Sequence, residues 1–534
     1  MKEKPLDQGD FSLILLFVVG PACFALYHWF NRGFELFATL TEKPYAWKIA
    51  LFLGAALVLV SVFGLMQWWN GHAEKLQNSI AKSDGEIYFG TTVGGDDLHL
   101  SQEMRTRHTQ LIGTTSSGKS ESVILPWAIQ DIQNGAGVVI VDGKADRSFL
   151  DKIYSHTLAA GRVCDFRLFS LSNPDQSCSF NPLAAGSVQE VTERVFSSFQ
   201  IENEYFESVQ FRIFRDIIAL IKEQDVIPTF AHVQYLLTNR EALAKWIEAS
   251  RKPLLKDGLT TFNNSAPRDR DEKVSGLVAK LSHFCADEVS NLFNTQLPHL
   301  DLAQALTNRW ICYFQVPTMY YQFLGSATGK LVLQCLQNAV AKRHNQGLKS
   351  VSFTSVFLDD FQDYIYEGFE GLLNKSRSAK IGMVFSHQAL GDLDKDSPAF
   401  RNVVTTNTNI KIVMRNNDPE TAEFFASSFG TKTSSKETER VSRGFFGTAK
   451  TGELSVRAVE AFLYHPNIIK AELATGEAIV SVPHFEGVQT HRVRFTPFPD
   501  LKPTVLPVIP KGAIDVEKFK DPPTRFSQNE SYRL

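Results

Sequence analysis

Apolar and polar positions change rhythm several times along the chain, and each change predicts a different kind of structure. Phe11 to Phe30 and Ile49 to Trp68 are strongly apolar, without one formally charged side chain. Each is about 20 residues long, the length of a helix that crosses a bilayer. Trp29, Trp47, Trp68 and Trp69 mark their ends, where amphipathic rings favour the membrane interface. They predict a membrane anchor over residues 1–70 with two transmembrane helices, followed by a polar connector from Gly71 to Ser83. The pattern then shortens. Gly85 to Gly90 and Leu98 to Leu100 read as short strands, as does Thr109-Gln110-Leu111-Ile112. Gly137 to Asp142 is a continuous apolar run, as in a strand buried on both faces. A helical stretch to Ala160 and a strand around Val163 to Ser170 follow. Strand and helix alternating in this way predict an α/β fold, a parallel sheet with helices on both faces.

Between Val188 and about Asn294 the alternation stops and helical periodicity takes over, in Val188–Phe199, Phe206–Lys222, Phe230–Leu237, Arg240–Ser250 and Glu272–Phe284. This predicts an inserted all-α domain over 188–294, flanked by a nucleotide-binding domain over 71–187 and 295–490. The α/β rhythm resumes with strands at Trp310–Val316, Val351–Leu358, Ile381–Ser386 and Ile410–Met414, and helices at Ala327–Lys342 and up to about Ala379. Thr431 to Arg457, rich in Ser, Thr and Lys, predicts a mobile loop or long excursion. Leu473 to Val480 predicts a closing hairpin, and 491–534 a Pro-rich polar C-terminal arm.

Composition narrows the chemistry only a little. A formal net charge of −3 excludes a globally basic nucleic-acid binder but not a local basic channel. The 6 cysteines form no C-x-x-C pair and no His–Cys cluster, against a zinc site or disulfide framework.

The sharpest signal is Gly113-Thr114-Thr115-Ser116-Ser117-Gly118-Lys119-Ser120, which fits the phosphate-cradling G-x-x-x-x-G-K-[ST] loop. Gly113 and Gly118 let successive backbone N–H groups turn inward toward phosphate oxygens. Lys119 reaches the β- and γ-phosphates and the Ser120 hydroxyl ligates Mg²⁺, so the expected cofactors are ATP and Mg²⁺. The strand before and a helix from Lys119 to Gln133 after complete the context, with Pro126 expected to kink that helix at its second turn. An even number of spans puts Met1 and the soluble part on one side, and use of ATP makes that side cytoplasmic.

Hydrolysis needs a metal-side carboxylate and a group that orients water. Val356-Phe357-Leu358-Asp359-Asp360 supplies both at a strand's carboxyl end, where ligands sit in open α/β sheets. Asp359 is the candidate metal-side carboxylate and Asp360 the candidate base. Asp142 is a rival for the metal role, without an adjoining second carboxylate. Gln388, just past a strand, is placed to sense the γ-phosphate. Arg377 and Arg415 are candidates for an arginine donated across a subunit boundary to stabilise transition-state charge.

Two apolar spans, the Gly113–Ser120 loop, Val141-Asp142-Gly143-Lys144-Ala145-Asp146, a helical insertion, Leu358-Asp359-Asp360-Phe361 and Ser386-His387-Gln388 occur in that order. Over roughly residues 10 to 485 this resembles the type IV coupling proteins (TraD/TraG-like, including the TrbC and DotL-type branch), relatives of the FtsK and HerA ATPases. The resemblance implies a RecA-like ATPase domain, a homo-hexamer at the bacterial inner membrane, and delivery of cargo to type IV secretion channel components. The implied cargo is relaxase-bound single-stranded DNA or effector proteins, with the absence of a long adaptor-recruiting tail favouring DNA. An FtsK/HerA-like DNA translocase and a nucleotide-switched membrane scaffold with little turnover are the alternatives. Two departures stand out: Ser116 where relatives usually carry Gly, and Asp360 where many carry Glu, a base one methylene shorter.

Overall fold

The computed structural model describes residues 85–523, except 200, 202, 347–350, 367, 395–397, 445–446, 485–486 and 513–514. Both predicted spans, and the connector up to Ser83, lie outside the described residues. Among the described residues no helix is long and apolar enough to cross a membrane.

In chain order the strands are β1 (Ile87–Thr92), β2 (Asp97–Leu100), β3 (Thr109–Ile112), β4 (Gly137–Asp142), β5 (Phe166–Ser170), β6 (Ile311–Gln315), β7 (Thr354–Asp359), β8 (Ile381–His387), β9 (Ile410–Met414), β10 (Thr431–Gly444), β11 (Gly447–Phe462), β12 (Glu477–His484) and β13 (Gly487–Arg494). All but β10 and β11 form one 11-stranded sheet in the order β2-β1-β13-β12-β9-β3-β8-β7-β4-β6-β5. From β9 to β5 every neighbouring pair is parallel. The edge from β12 outward is antiparallel. The predicted α/β fold with a large parallel sheet is therefore present.

The continuous apolar runs work as two-faced strands. Val138 and Ile140 pack with Ile129, Ile153 and Phe357 on one face, where helices Leu125–Gln133 and Arg147–Ala159 lie. Val139 and Val141 face the other way, into a core shared with Phe169, Phe214, Phe284, Leu331 and Phe385. The helices between β5 and β6 join that second core, so the predicted insertion packs as one body with the sheet face. Its centre is aromatic, with the Phe230 and Phe284 rings stacked 4.4 Å apart.

Several details differ from the sequence reading. Pro126 does not kink a finished α-helix. Residues Lys119–Ile124 form a π-helical turn, and the α-helix starts at Leu125 with Pro126 in its first turn. Proline has no N–H for the Ser122 carbonyl and its ring would crowd that carbonyl, so the chain widens instead of bending. The stretch expected as a mobile loop is an antiparallel ribbon, Thr431 pairing with Phe462 and Gly444 with Gly447. The closing hairpin is β12 with β13, its ladder ending at His484 and Gly487 rather than within Leu473–Val480. β13 runs to Arg494, so the arm begins after residue 491. Its described residues lie against the body: the Ile509 N–H donates to Asp175 O at 2.9 Å, and Trp246 Nε1–H donates to Phe519 O at 3.0 Å. The helix Pro253–Asn263 lies inside the stretch 188–294 read as helical.

Candidate nucleotide site

β8 lies between β3 and β7. The loop after β3 and the carboxylates after β7 therefore flank the end of β8, and three predicted motifs meet at one sheet edge. The Gly113–Gly118 turn leaves β3 and is pinned to neighbours on both sides. The Gly113 N–H donates to His387 O, the Thr114 N–H to Arg415 O, and the Gly476 N–H to Ser117 O. A Cβ at Gly113 would stand 2.6 Å from Ser117 Oγ and 2.9 Å from Met414 Cβ, so only glycine fits. Gly118 has φ +99, a left-handed conformation that glycine adopts without cost. Ser116 has φ 64 with a side chain that penalises it, so the departure noted in the sequence appears as local strain.

Lys119 is buried, and its Nζ donates to Gly113 O at 2.5 Å and Thr114 O at 3.3 Å. Burial lowers its pKa, and Asp359 works against that. Ser120 Oγ donates to Asp359 Oδ2 at 2.8 Å across 239 positions of sequence. A hydroxyl and a carboxylate set side by side, beside a glycine-lined turn of backbone N–H groups, are the donor set that a hard divalent cation on a phosphate chain requires. The residues present thus fit Mg²⁺ and a nucleotide.

Asp360 follows in a left-handed conformation, φ 49, which turns its side chain back toward the site. Burial and the neighbouring Asp359 push its carboxyl upward, and the Lys144 ammonium opposes that push. Gln388 Oε1 accepts from Thr115 Oγ1 at 3.3 Å, so the candidate sensor touches the phosphate loop. Its backbone is held by Asp392, which accepts from the Gln388 and Ala389 N–H groups, and by Asn416, which donates to Gln388 O. Behind it runs a buried polar row. Lys411 Nζ donates to Gln110 Oε1, the Gln110 amide faces His387 Nε2, and His387 Nδ1 meets Ala389 O. Burial lowers His387 to about 4 and Lys411 to about 7.

The two arginines expected to act across a subunit boundary lie outside this chain's own site. Arg415 meets the loop through its backbone carbonyl, which also accepts from Thr114 Oγ1 at 3.1 Å. Arg377 lies just ahead of β8, at the opposite edge of the sheet, in a cavity of about 560 Å³ with Glu103, Phe353 and Lys380. The rival Asp142 is engaged differently: its carboxylate accepts the N–H groups of Lys144, Ala145 and Asp146 and the Tyr313 hydroxyl, as a cap of the turn that follows β4. Lys144, missed as a site residue, places its Nζ 3.2 Å from Asp360 Oδ2. Its position two residues after a strand-terminal aspartate was the available signal.

Comparison with known proteins agrees with this geometry. Residues 354–464 match a family described as the TraM recognition site of TraD and TraG. The type 4 coupling protein DotL of Legionella pneumophila is 23% identical over 428 residues, 67% of this chain and 54% of DotL. The chain thus spans about half the length of that curated relative. Among solved structures, the bacterial conjugative coupling protein TrwB shares the fold with a TM-score of 0.57 at 14% identity, covering 81% of this chain and 94% of TrwB. TrwB with ADP and Mg²⁺ matches with a TM-score of 0.56 at 16% identity, covering 80% and 94%. The likeness to TrwB shows a shared fold, while the family match and DotL are similarities over part of their length.

Proposed function

We propose that this chain is a membrane-anchored ATPase that couples ATP hydrolysis to the delivery of cargo into a type IV secretion channel. The observation that carries the reading is the Ser120–Asp359 hydrogen bond, which joins the phosphate loop to the acidic pair at one sheet edge. The solved likenesses with ADP and Mg²⁺, and with an ATP analogue, support ATP and Mg²⁺ as the cofactors.

When bound, Mg²⁺–ATP supplies the phosphoryl group and a divalent charge that offsets its negative oxygens. The chain's residues do the rest. The N–H groups of the Gly113–Gly118 turn cradle phosphate oxygens, and Lys119 exchanges its bonds to Gly113 O and Thr114 O for the β- and γ-phosphates. Ser120 and Asp359 hold the metal. Asp360 orients the attacking water and takes its proton. Gln388, already on Thr115 and braced by Asp392 and Asn416, senses the γ-phosphate and passes its loss to the chain beyond β8. Arg377 and Arg415 are the candidates for a charge donated across a subunit boundary in a homo-hexamer. Arg377 cannot reach its own loop from the far sheet edge, so it would act only on a neighbour.

Phe11–Phe30 and Ile49–Trp68 would span the bacterial inner membrane, with the ATPase cytoplasmic. Relaxase-bound single-stranded DNA or effector proteins would be the cargo, and the segment 354–464, with its ribbon β10–β11, is where the family description points for partner recognition. The test is ATP turnover of the full chain in detergent, with and without single-stranded DNA. Turnover that rises with DNA and disappears in Lys119→Ala is expected for the DNA-delivering form of the reading. DNA-independent turnover points to protein cargo. Nucleotide binding without turnover under any condition overturns the motor in favour of a nucleotide-switched scaffold.

A further inference from the structure

Lys144 belongs to no motif that the nucleotide site required, yet its surroundings are built to aim it. Asp142 ends β4 almost fully buried. Its carboxylate gathers three successive N–H groups, those of Lys144, Ala145 and Asp146, at 2.9–3.0 Å. The turn this enforces puts Ala145 at φ 58, a left-handed conformation alanine adopts only under constraint. The same turn is tied to its neighbours. Gly143 O accepts from the Thr318 N–H at 3.1 Å, and Thr318 Oγ1 donates to Asp363 Oδ2 at 2.8 Å, which links it to the segment just after Asp360. Lys144 therefore leaves a fixed base, although its side chain is 45% exposed.

Its ammonium stands 3.2 Å from Asp360 Oδ2 and 4.0 Å from Asp359 Oδ2. Ser120 already holds Asp359 Oδ2, so the closer partnership is with Asp360. The two oxygens of Asp360 then differ. Oδ2 is gripped by Lys144, while Oδ1 is buried with no hydrogen-bond partner among the described residues. A buried carboxylate oxygen without a partner is costly, and it persists where a function requires an acceptor there. Asp is one methylene shorter than Glu, so its direction matters more than its reach.

Resting on the ATPase reading above, we propose that Lys144 is the positioning residue for Asp360: it pins Oδ2 so that Oδ1 is the atom that accepts a hydrogen from the attacking water. The proton moves from water to Oδ1 as the water oxygen bonds to phosphorus and the bond to the leaving phosphate oxygen breaks. Lys144 keeps its own protons throughout.

The test uses the full chain in detergent, with Lys144→Met, which keeps length and removes charge, and Lys144→Arg, which keeps charge. Loss of a partner that orients a reacting group costs roughly 10- to 100-fold in rate. The expected result is that loss in kcat for Lys144→Met, a KM for ATP within about threefold of the native value, and partial recovery in Lys144→Arg. A kcat for Lys144→Met within twofold of native overturns the proposal, as does a rise in KM with kcat unchanged, which would make Lys144 a phosphate ligand. If the native chain turns over no ATP, the ATPase reading fails by itself. The pairing is then read directly by acetylation with an N-hydroxysuccinimide ester. Lys144 should react faster in Asp360→Asn than in the native chain, and equal rates overturn the pairing.

Discussion

The two edges of the parallel sheet are made of similar residues put to opposite uses. At the amino edge, where strands begin, cationic side chains end mostly on backbone carbonyls, with the Asp131 and Asp165 carboxylates taking the rest. Arg105 meets buried Asp131 in a two-pronged pair, both contacts 2.6 Å. Arg162 donates to the carbonyls of Ile132, Ala136 and Arg309, and Arg343 to those of Leu306 and Ala379. His108 bonds Leu373 O and accepts the Met383 N–H. At the carboxyl edge Lys144 faces Asp359 and Asp360, Lys119 donates to the Gly113 and Thr114 carbonyls, and Asp360 Oδ1 has no hydrogen-bond partner among the described residues. Backbone strain does not separate the edges. His108, Arg309 and Lys380 have positive φ at one, Ser116, Ala145 and Asp360 at the other. What marks the working edge is an ammonium facing two neighbouring carboxylates beside the phosphate loop.

If that contrast is right, changes at the amino edge should alter stability and changes at the carboxyl edge should alter chemistry. The largest stability effect is expected for Arg105→Ala. It strands a buried Asp131 and removes a guanidinium from between Trp127 and Phe353, a loss on the order of 3–5 kcal/mol. Denaturant unfolding measures it, and a loss below 1 kcal/mol would show the pair to be incidental.

Next is the pH response of His108. Its Nδ1 accepts the Met383 N–H, so the ring is neutral when folded, and burial lowers its pKa to about 4. The unfolded chain, titrating near 6.5, takes up the proton first. This contribution is therefore complete above about pH 6.5 and is lost as pH falls toward 4, at up to about 1.4 kcal/mol per pH unit. Unfolding midpoints between pH 7 and 4.5 should fall less steeply in His108→Gln than in the native chain; parallel slopes would refute the assignment.

The smallest effect runs the other way. Ser116→Gly relieves an exposed left-handed serine and should add about 1 kcal/mol of stability. If nucleotide affinity is unchanged, the strain was carried without benefit. If affinity drops, the stiff loop was already shaped for phosphate.

Much of the working edge was legible because its elements are short, apolar and bounded by glycine or aspartate. Thr109–Ile112, Gly137–Asp142 and Ile410–Met414 were read with the bounds they have in the fold. The phosphate loop and the acidic pair were read as partners, although 239 positions separate Ser120 from Asp359. The amino edge was not legible, because Arg105 with Asp131 or Arg343 with Ala379 carries no spacing rule. Lys144 carried a signal, its place two residues after a strand-terminal aspartate, but its meaning depends on a turn fixed by Asp142. The ribbon Thr431–Phe462 pairs only with itself, and its Ser-, Thr- and Lys-rich sequence reads as a loop.

The central claim is that Gly113–Ser120, Asp359 and Asp360 form a hydrolytic site. It is tested most directly by ATP turnover of Lys119→Ala beside the native chain, with unfolding midpoints measured in parallel. Turnover should fall to background in the variant while its midpoint stays within a few degrees of native. Turnover in Lys119→Ala equal to that of the native chain would contradict the account.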